Sequence, residues 1–310
     1  MLCPLLLLTI ISSFVRSEEK NCVFDECDGD MTGKIQNALD RCDHVRISTN
    51  CTSGPLAITS RRNLTLEIDG ILRVGEKWDS KDGKTIEPFI SFQNSSNISM
   101  IGSGIVDGRG AMWWPTSIID PPRPRLVVFQ NCQDVRIVGN FTLLNSPFWT
   151  LLLNGENFFV SDIRIRAPSF QIARNTDGID IAAKNVHIRN VDIANGDDSI
   201  CVKSPSSNVL VESSIVSLGN GLVVGTAGNG LSENENVAEI SNITFRNCIA
   251  NDTTFGCHIK FKPPQHGYAK NILFENVTIY QSVNATNRRV RSGDHAGYVD
   301  SLCFVFIFKR

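Results

Sequence analysis

From Asn63 onward the chain repeats one short phrase: an asparagine or aspartate, an apolar residue, a variable one, then a second apolar one. It occurs as Asn63-Leu64-Thr65-Leu66, Asn97-Ile98-Ser99-Met100, Asp134-Val135-Arg136-Ile137 and Asn157-Phe158-Phe159-Val160. It continues as Asn185-Val186-His187-Ile188, Asn208-Val209-Leu210-Val211, Asn242-Ile243-Thr244-Phe245 and Asn271-Ile272-Leu273-Phe274. The successive offsets are 34, 37, 23, 28, 23, 34 and 29 residues. Within each unit the apolar positions alternate, as in Val186 and Ile188, Val191 and Ile193, or Ile200 and Val202, which is the period of a β-strand. A sandwich also has short strands, but it does not return the same turn residue in register. The pattern therefore predicts stacked coils, a right-handed parallel β-helix whose core includes those six residues.

Helical periodicity is confined to the N-terminal part. Ile35, Ala38, Leu39 and Cys42 fall at helical spacing between Glu26 and Cys42. They predict one short amphipathic helix that covers the open end of the solenoid, whose core needs a cap. Cys22, Cys27, Cys42 and Cys51 cluster in the same region and are expected to staple it. The sequence has 10 cysteines; with Cys3 set aside in the leader, the rest form no metal-type CxxC pair, so disulfides are the expected use, with one thiol left over. Met1 to Ser17 carries an apolar run too short to span a bilayer and reads as a signal peptide. Residues 18–310 read as one β-helix domain, complete or truncated at its C-terminal end. N-x-[ST] sequons at Asn50, Asn63, Asn94, Asn97, Asn140, Asn242, Asn251, Asn276 and Asn284 fit a secreted glycoprotein, some occupied and others incidental to asparagine-rich turns.

A second repeat carries the candidate chemistry. Asn175-Thr176-Asp177-Gly178-Ile179-Asp180-Ile181 and Asn195-Gly196-Asp197-Asp198-Ser199-Ile200-Cys201-Val202-Lys203 align with Asp177 over Asp198, 21 residues apart, and Asn220-Gly221-Leu222-Val223-Val224 follows 22 residues later. Strand stacking at about 4.8 Å puts Asp177 and Asp198 roughly 5 Å apart, with Asp197 beside them. Three carboxylates this close repel, so at least one is expected to keep its proton near neutral pH. One protonated acid and one ionised base facing a bond is what glycoside hydrolysis requires.

Asn-Thr-Asp followed one coil later by Gly-Asp-Asp resembles glycoside hydrolase family 28, the polygalacturonases. The resemblance runs from about Gly70 to Tyr280. It implies the parallel β-helix fold, a general acid at Asp197 and water-activating bases at Asp177 and Asp198 in an inverting mechanism. Asn175 belongs to the same motif and is a candidate substrate contact. Two family motifs, Gly-His-Gly and Arg-Ile-Lys, stand here as Gly219-Asn220-Gly221 and His258-Ile259-Lys260. Lys260 matches the family lysine and, with Lys203, is a candidate cation for a sugar carboxylate. His258 lies on the same outward face by alternation and is a cation only when protonated. Asn220 can hydrogen-bond but cannot carry a proton. Ser199 departs as well: the family commonly has a bridging cysteine there, and 212–220 contains no partner for one.

The formal net charge of −2 gives no ground for nucleic acid or for a polyanion held by global charge, so an acidic substrate needs local cations. The resemblance implies pectin or polygalacturonate as substrate and admits plant polygalacturonase-inhibiting proteins as partners. No cofactor, metal or membrane contact is expected, and a monomer is. The alternative function is a catalytically silent β-helix that binds pectin or serves as an inhibitor decoy. The proline-rich stretch Pro115 to Pro124 is expected to wall the cleft. Trp113 and Trp114 read as loop packing before sugar stacking, and Asn145 to Thr150 as a turn entering a strand. The loops Asn229 to Val237 and Pro263 to Gly267 are expected at the cleft mouth. After Tyr280 the pattern fades, no cleft tyrosine can be assigned, and Cys303 to Arg310 is an apolar run too short for a transmembrane helix, read as a final strand or as the mark of a truncated or misread transcript.

Overall fold

The computed structural model describes residues 20–114, 122–227, 238–261, 267–280 and 298–309. The leader at 1–17, most of the proline-rich stretch, the loops at 229–237 and 263–266, and Asn284 lie outside the described residues.

The strands stack in three parallel faces. One runs from His44–Ile47 through Arg62–Ile68 and Ser96–Gly102 to the later parts of Val127–Gly139, Leu151–Ser161 and Ile179–Arg189, then Ser206–Glu212, Ala238–Arg246 and Gly267–Tyr280. A second contains Ile105–Asp107, Thr142–Leu144, Arg164–Arg166, Asp192–Ala194, Ile215–Ser217 and Ile249–Asn251. The third contains the early part of Ile179–Arg189, then Ile200–Val202, Leu222–Ala227 and Cys257–Phe261. Every pairing is parallel, as a chain coiling in one direction requires. The strand Tyr298–Lys309 adds to Gly267–Tyr280 in the same sense. This is the parallel β-helix that the repeat predicts.

The leading residue of the phrase turns each coil. All eight, from Asn63 to Asn271, adopt positive φ between 53° and 61°. That left-handed conformation is costly for most L-residues but tolerated by asparagine and aspartate. Their amides then stack coil over coil: Asn185 Nδ2 donates to Asn157 Oδ1 at 3.1 Å, Asn208 to Asn185 at 3.1 Å, and Asn242 to Asn208 at 3.1 Å. The sequons at Asn63, Asn97 and Asn242 belong to this ladder. Between the turns, alternation sends Val186, Ile188, Val191, Ile193, Ile200 and Val202 into one continuous core. Each buried aliphatic side chain contributes about 1.5–3 kcal/mol.

The predicted cap is the helix Thr32–Arg41, which buries Ile35, Ala38 and Leu39 against the first coils. Disulfides Cys22–Cys42 and Cys27–Cys51 fasten it. The remaining cysteines depart from expectation. Cys132, Cys201, Cys248 and Cys257 are free and buried, so more than one thiol is left over. Cys132, Cys248 and Cys257 occupy core positions as small apolar residues. Trp113 is wholly buried, edge-on to Trp78 at 5.2 Å, so it packs the structure and is not available to stack on a sugar.

Candidate active site

The turns between the second and third faces stack Asn175–Gly178, Asn195–Ser199 and Gly219–Gly221 on three successive coils. Register follows from the strands that leave them: Ile179 pairs with Ile200, and Ile200 with Leu222. Asp177, Asp198 and Asn220 therefore share one column, and Asp197 projects beside it. One oxygen from each of Asp177, Asp197 and Asp198 lies within 4.8 Å of the others.

Buried polar groups hold this turn without a disulfide. Asn195 Nδ2 reaches the carbonyls of Thr176, Asp197 and Asp198 at 2.9–3.0 Å. Ser199 Oγ donates back to Asn195 Oδ1 at 2.9 Å. Gly219 is required above them, because a Cβ there would stand 2.3 Å from the Asp197 carbonyl and 2.7 Å from Ser199 Oγ. At Gly221, φ is 87° and a Cβ would meet the Phe255 carbonyl at 1.9 Å. These two glycines fix Asn220 over the aspartates. Its Nδ2 donates to Asp197 Oδ1 and to Asp198 Oδ1, both at 3.0 Å.

The three acids differ in environment. Asp198 is about 1% exposed and ion-paired with Lys260. Burial acts to raise its pKa, but the charges of Lys260 and Lys203 and the hydrogen bonds from Lys260 and Asn220 outweigh it, so Asp198 falls below the ordinary value. Asp197 goes the other way: burial and the Asp198 charge push it up, against Lys260 and the Asp198 backbone N–H. Its Oδ1 accepts from that N–H at 2.8 Å and from Asn220, whereas Oδ2 accepts one longer bond, from Asn175 Nδ2 at 3.3 Å, and is the oxygen with more room for a proton. Asp177, 3% exposed, is raised well above the ordinary range by burial and by Asp180, Asp197 and Asp198. Of the two expected bases, Asp198 is thus the one held as an anion.

Lys203 lies in the floor of the site. Its Nζ is 3.0 Å from Asp180 Oδ1 and 3.9 Å from Asp177 Oδ2. Burial opposes its charge, yet the surrounding aspartates keep it protonated. Shared among several acids, it cannot offset burial at each, and Asp180 is held up to about 6. Lys260 and Lys203 are both partnered by carboxylates before any substrate arrives. His258 pairs in register with Val223 and so points outward as alternation expects. It is nevertheless 8% exposed, with its ring centroid 4.4 Å from that of Phe255. An imidazole has no planar two-donor fork to grip a carboxylate.

The chain contributes further groups that the motif reading did not single out. Arg123 Nη2 approaches Asn175 Oδ1 at 3.5 Å and covers the Phe148 ring at 5.2 Å. Arg125 and Lys203 both cover the Trp149 ring, at 4.6 and 4.5 Å. Phe148 and Trp149, read from sequence as a simple turn, stack with centroids 5.5 Å apart. The signal available was the proline-rich stretch that ends at these arginines.

Among the described residues, the aspartate trio is the one acidic group close enough to hold a cation. With Asp198 already neutralised by Lys260 and Asp177 favouring its proton, the arrangement suits proton transfer. Asp197 is biased toward its proton and its neighbour Asp198 toward the anion, the pairing that acid–base cleavage of a glycosidic bond uses.

The chain matches the model described as "Glycosyl hydrolases family 28" over residues 41–286. A polygalacturonase of Cryptomeria japonica is 31% identical over 233 residues, covering 72% of this chain and 44% of that protein. An endo-polygalacturonase of Pectobacterium parmentieri is 28% identical over 288 residues, covering 80% of this chain and 69% of its own. The chain spans about half the length of several plant relatives it matches. The solved polygalacturonase from Erwinia carotovora ssp. carotovora superposes with a TM-score of 0.69 at 22% identity, covering 94% of this chain and 98% of that one. At that identity the likeness speaks for the parallel β-helix alone. The family match, together with the fold, establishes that this chain belongs to glycosyl hydrolase family 28.

Proposed function

We propose that this chain carries the catalytic site of a secreted polygalacturonase, hydrolysing α-1,4-galacturonosyl linkages of pectin or polygalacturonate by inversion. The observation that supports it best is the asymmetry of the adjacent acids: burial and the Asp198 charge favour the protonated form of Asp197, while Lys260, Lys203 and Asn220 favour the ionised form of Asp198. Asp197 Oδ2 donates its proton to the glycosidic oxygen as the bond to the anomeric carbon breaks. Water attacks that carbon and its proton passes to Asp198, with Asp177 orienting the water by hydrogen bonding. Asn175 steadies the acid through its contact with Asp197. Lys260 sustains the base, and Lys203 offsets the charge of the floor.

The nearest oxygens of the trio, within 4.8 Å, are closer than the roughly 6.5–9.5 Å usual between carboxyl groups of inverting enzymes. Inversion is still favoured, because neither possible nucleophile is free to attack carbon. Asp198 is tied to Lys260 and Asn220, and Asp177 favours its protonated form. Secretion is supported by the two disulfides that fasten the cap, which need an oxidising compartment to persist. Among the described residues no helix is long and apolar enough to cross a membrane.

The test is to incubate the protein with polygalacturonate and follow the products by NMR, with reducing ends and ultraviolet absorbance measured in parallel. New reducing ends of inverted anomeric configuration support the reading. Ultraviolet-absorbing unsaturated products would indicate a lyase, and binding without new reducing ends a silent pectin-binding protein.

A further inference from the structure

Among the described residues, four cations stand beside the aspartates, and two are already committed. Lys260 is ion-paired with Asp198, and Lys203 with Asp180. Among the described residues, no carboxylate ion-pairs with Arg123 or Arg125. Arg123 is 5% exposed, Arg125 is half-buried, and the Nε of each is buried without a hydrogen-bond partner among the described residues. A guanidinium with one buried donor left unsatisfied is costly unless something completes it. Both planes are fixed, Arg123 against Phe148 and Arg125 against Trp149, and those rings stack on each other. Both also lie near the reacting acids. The charge of Arg123 acts on Asp177 and Asp197, and that of Arg125 on Asp180 and Asp177.

We propose that Arg123 and Arg125 are the specificity-determining residues that recognise the carboxylate of a uronic-acid substrate, in place of His258. This rests on the galacturonate-hydrolase reading above. A rigid guanidinium offers a planar fork that matches a carboxylate with two donors, which an imidazole cannot. Poor hydration strengthens the contact, since a bound carboxylate meets little competition from water. Arg123 also touches Asn175, which contacts Asp197. A carboxylate at this wall would therefore sit one side chain away from the acid. The two lysines then serve the aspartates, and the arginines read the sugar.

The experiment compares binding of an oligogalacturonate and of its methyl ester to the full chain by calorimetry. Wild type is measured beside Arg123→Gln and Arg125→Gln, with Arg125→Lys as the conservative variant. Each glutamine variant is expected to weaken binding of the acid about 10- to 100-fold, the span of one or two charge-assisted contacts. Binding of the ester should change less than about twofold on the same scale, and Arg125→Lys should recover part of the loss. A structural role would instead weaken both ligands in parallel. Parallel losses, or unchanged selectivity in both glutamine variants, overturn the inference. If Arg123→Gln does not fold, Arg125→Gln decides by the same criterion. Wild type that binds and cleaves while selectivity is unaffected defeats this inference alone; wild type that neither binds nor cleaves defeats the functional reading with it.

Discussion

Asn220 Nδ2 lies 3.0 Å from Asp197 Oδ1, and the same amide reaches Asp198 Oδ1 at 3.0 Å. One non-titrating donor thus spans the acid and the base. Asn220→Ala removes a hydrogen bond to an ionised oxygen, worth about 1.5–3 kcal/mol. The expected result is a kcat lower by roughly 10- to 100-fold. The acid limb of the rate profile should also move to higher pH, because Asn220 is one of the groups that lower Asp198. An unchanged limb in Asn220→Ala would mean that the amide does not act on the base.

The rate profile of the wild type should be a bell with its limbs on either side of the ordinary aspartate value of 3.8. Activity falls on the acid side as the lowered Asp198 takes a proton, and on the alkaline side as the raised Asp197 loses one. Lys260→Met removes the leading group that holds Asp198 down and one that also holds Asp197 down, so both limbs should shift to higher pH. Stopped assays across pH measure this. A variant whose limbs coincide with those of wild type would contradict the assignment.

Stability should depend on pH through the floor of the site. Asp180 is raised from 3.8 to about 6 by burial, which outweighs Lys203. Between those values the folded chain binds more protons than the unfolded one, so the contribution is complete below 3.8 and is lost as pH rises through about 6. Asp177 is shifted in the same direction. The melting temperature is therefore expected to rise as pH is lowered from about 8 to about 5. Asp180→Asn should flatten that rise. A wild-type melting temperature that falls over the same range would contradict it.

The asparagine ladder should matter as much as a core residue. Asn185 has φ 55° and hydrogen-bonds with Asn157 below and Asn208 above. Asn185→Ala combines a left-handed alanine, at about 1–2 kcal/mol, with the lost ladder bonds, each about 0.5–1.5 kcal/mol. Asn185→Gly retains the backbone freedom and loses the ladder alone. Urea unfolding should place alanine below glycine and both below wild type. Equal stability for alanine and glycine would rule out a backbone contribution.

What the sequence revealed followed local rules. A residue that tolerates positive φ, leading an alternating triplet, specified the turns and the inward positions of Val186, Ile188, Ile200 and Val202. The 21-residue offset brought Asp177 over Asp198 for the same reason. The parts that were not legible depend on contacts between distant coils. Arg123 meets Asn175 across 52 residues. Trp149 enters the site because the strand that follows it pairs with Ile179 and Asp180. Alternation correctly turned His258 outward, but it could not show Phe255 lying against the ring. The cysteine count suggested bridges. Only the coil register shows that Cys132, Cys248 and Cys257 face the core, where a thiol serves as a small apolar side chain.

The most direct test of the central claim is the reducing-end assay on polygalacturonate with Asp197→Asn beside wild type. An amide of the same shape can still accept from the Asp198 backbone N–H and from Asn220, but it cannot donate a proton to the leaving oxygen. The predicted result is hydrolysis by wild type and a loss of about 100-fold or more in the variant, with the melting transition retained. Hydrolysis by Asp197→Asn at a rate near that of wild type would contradict the account, because the acid would then lie elsewhere.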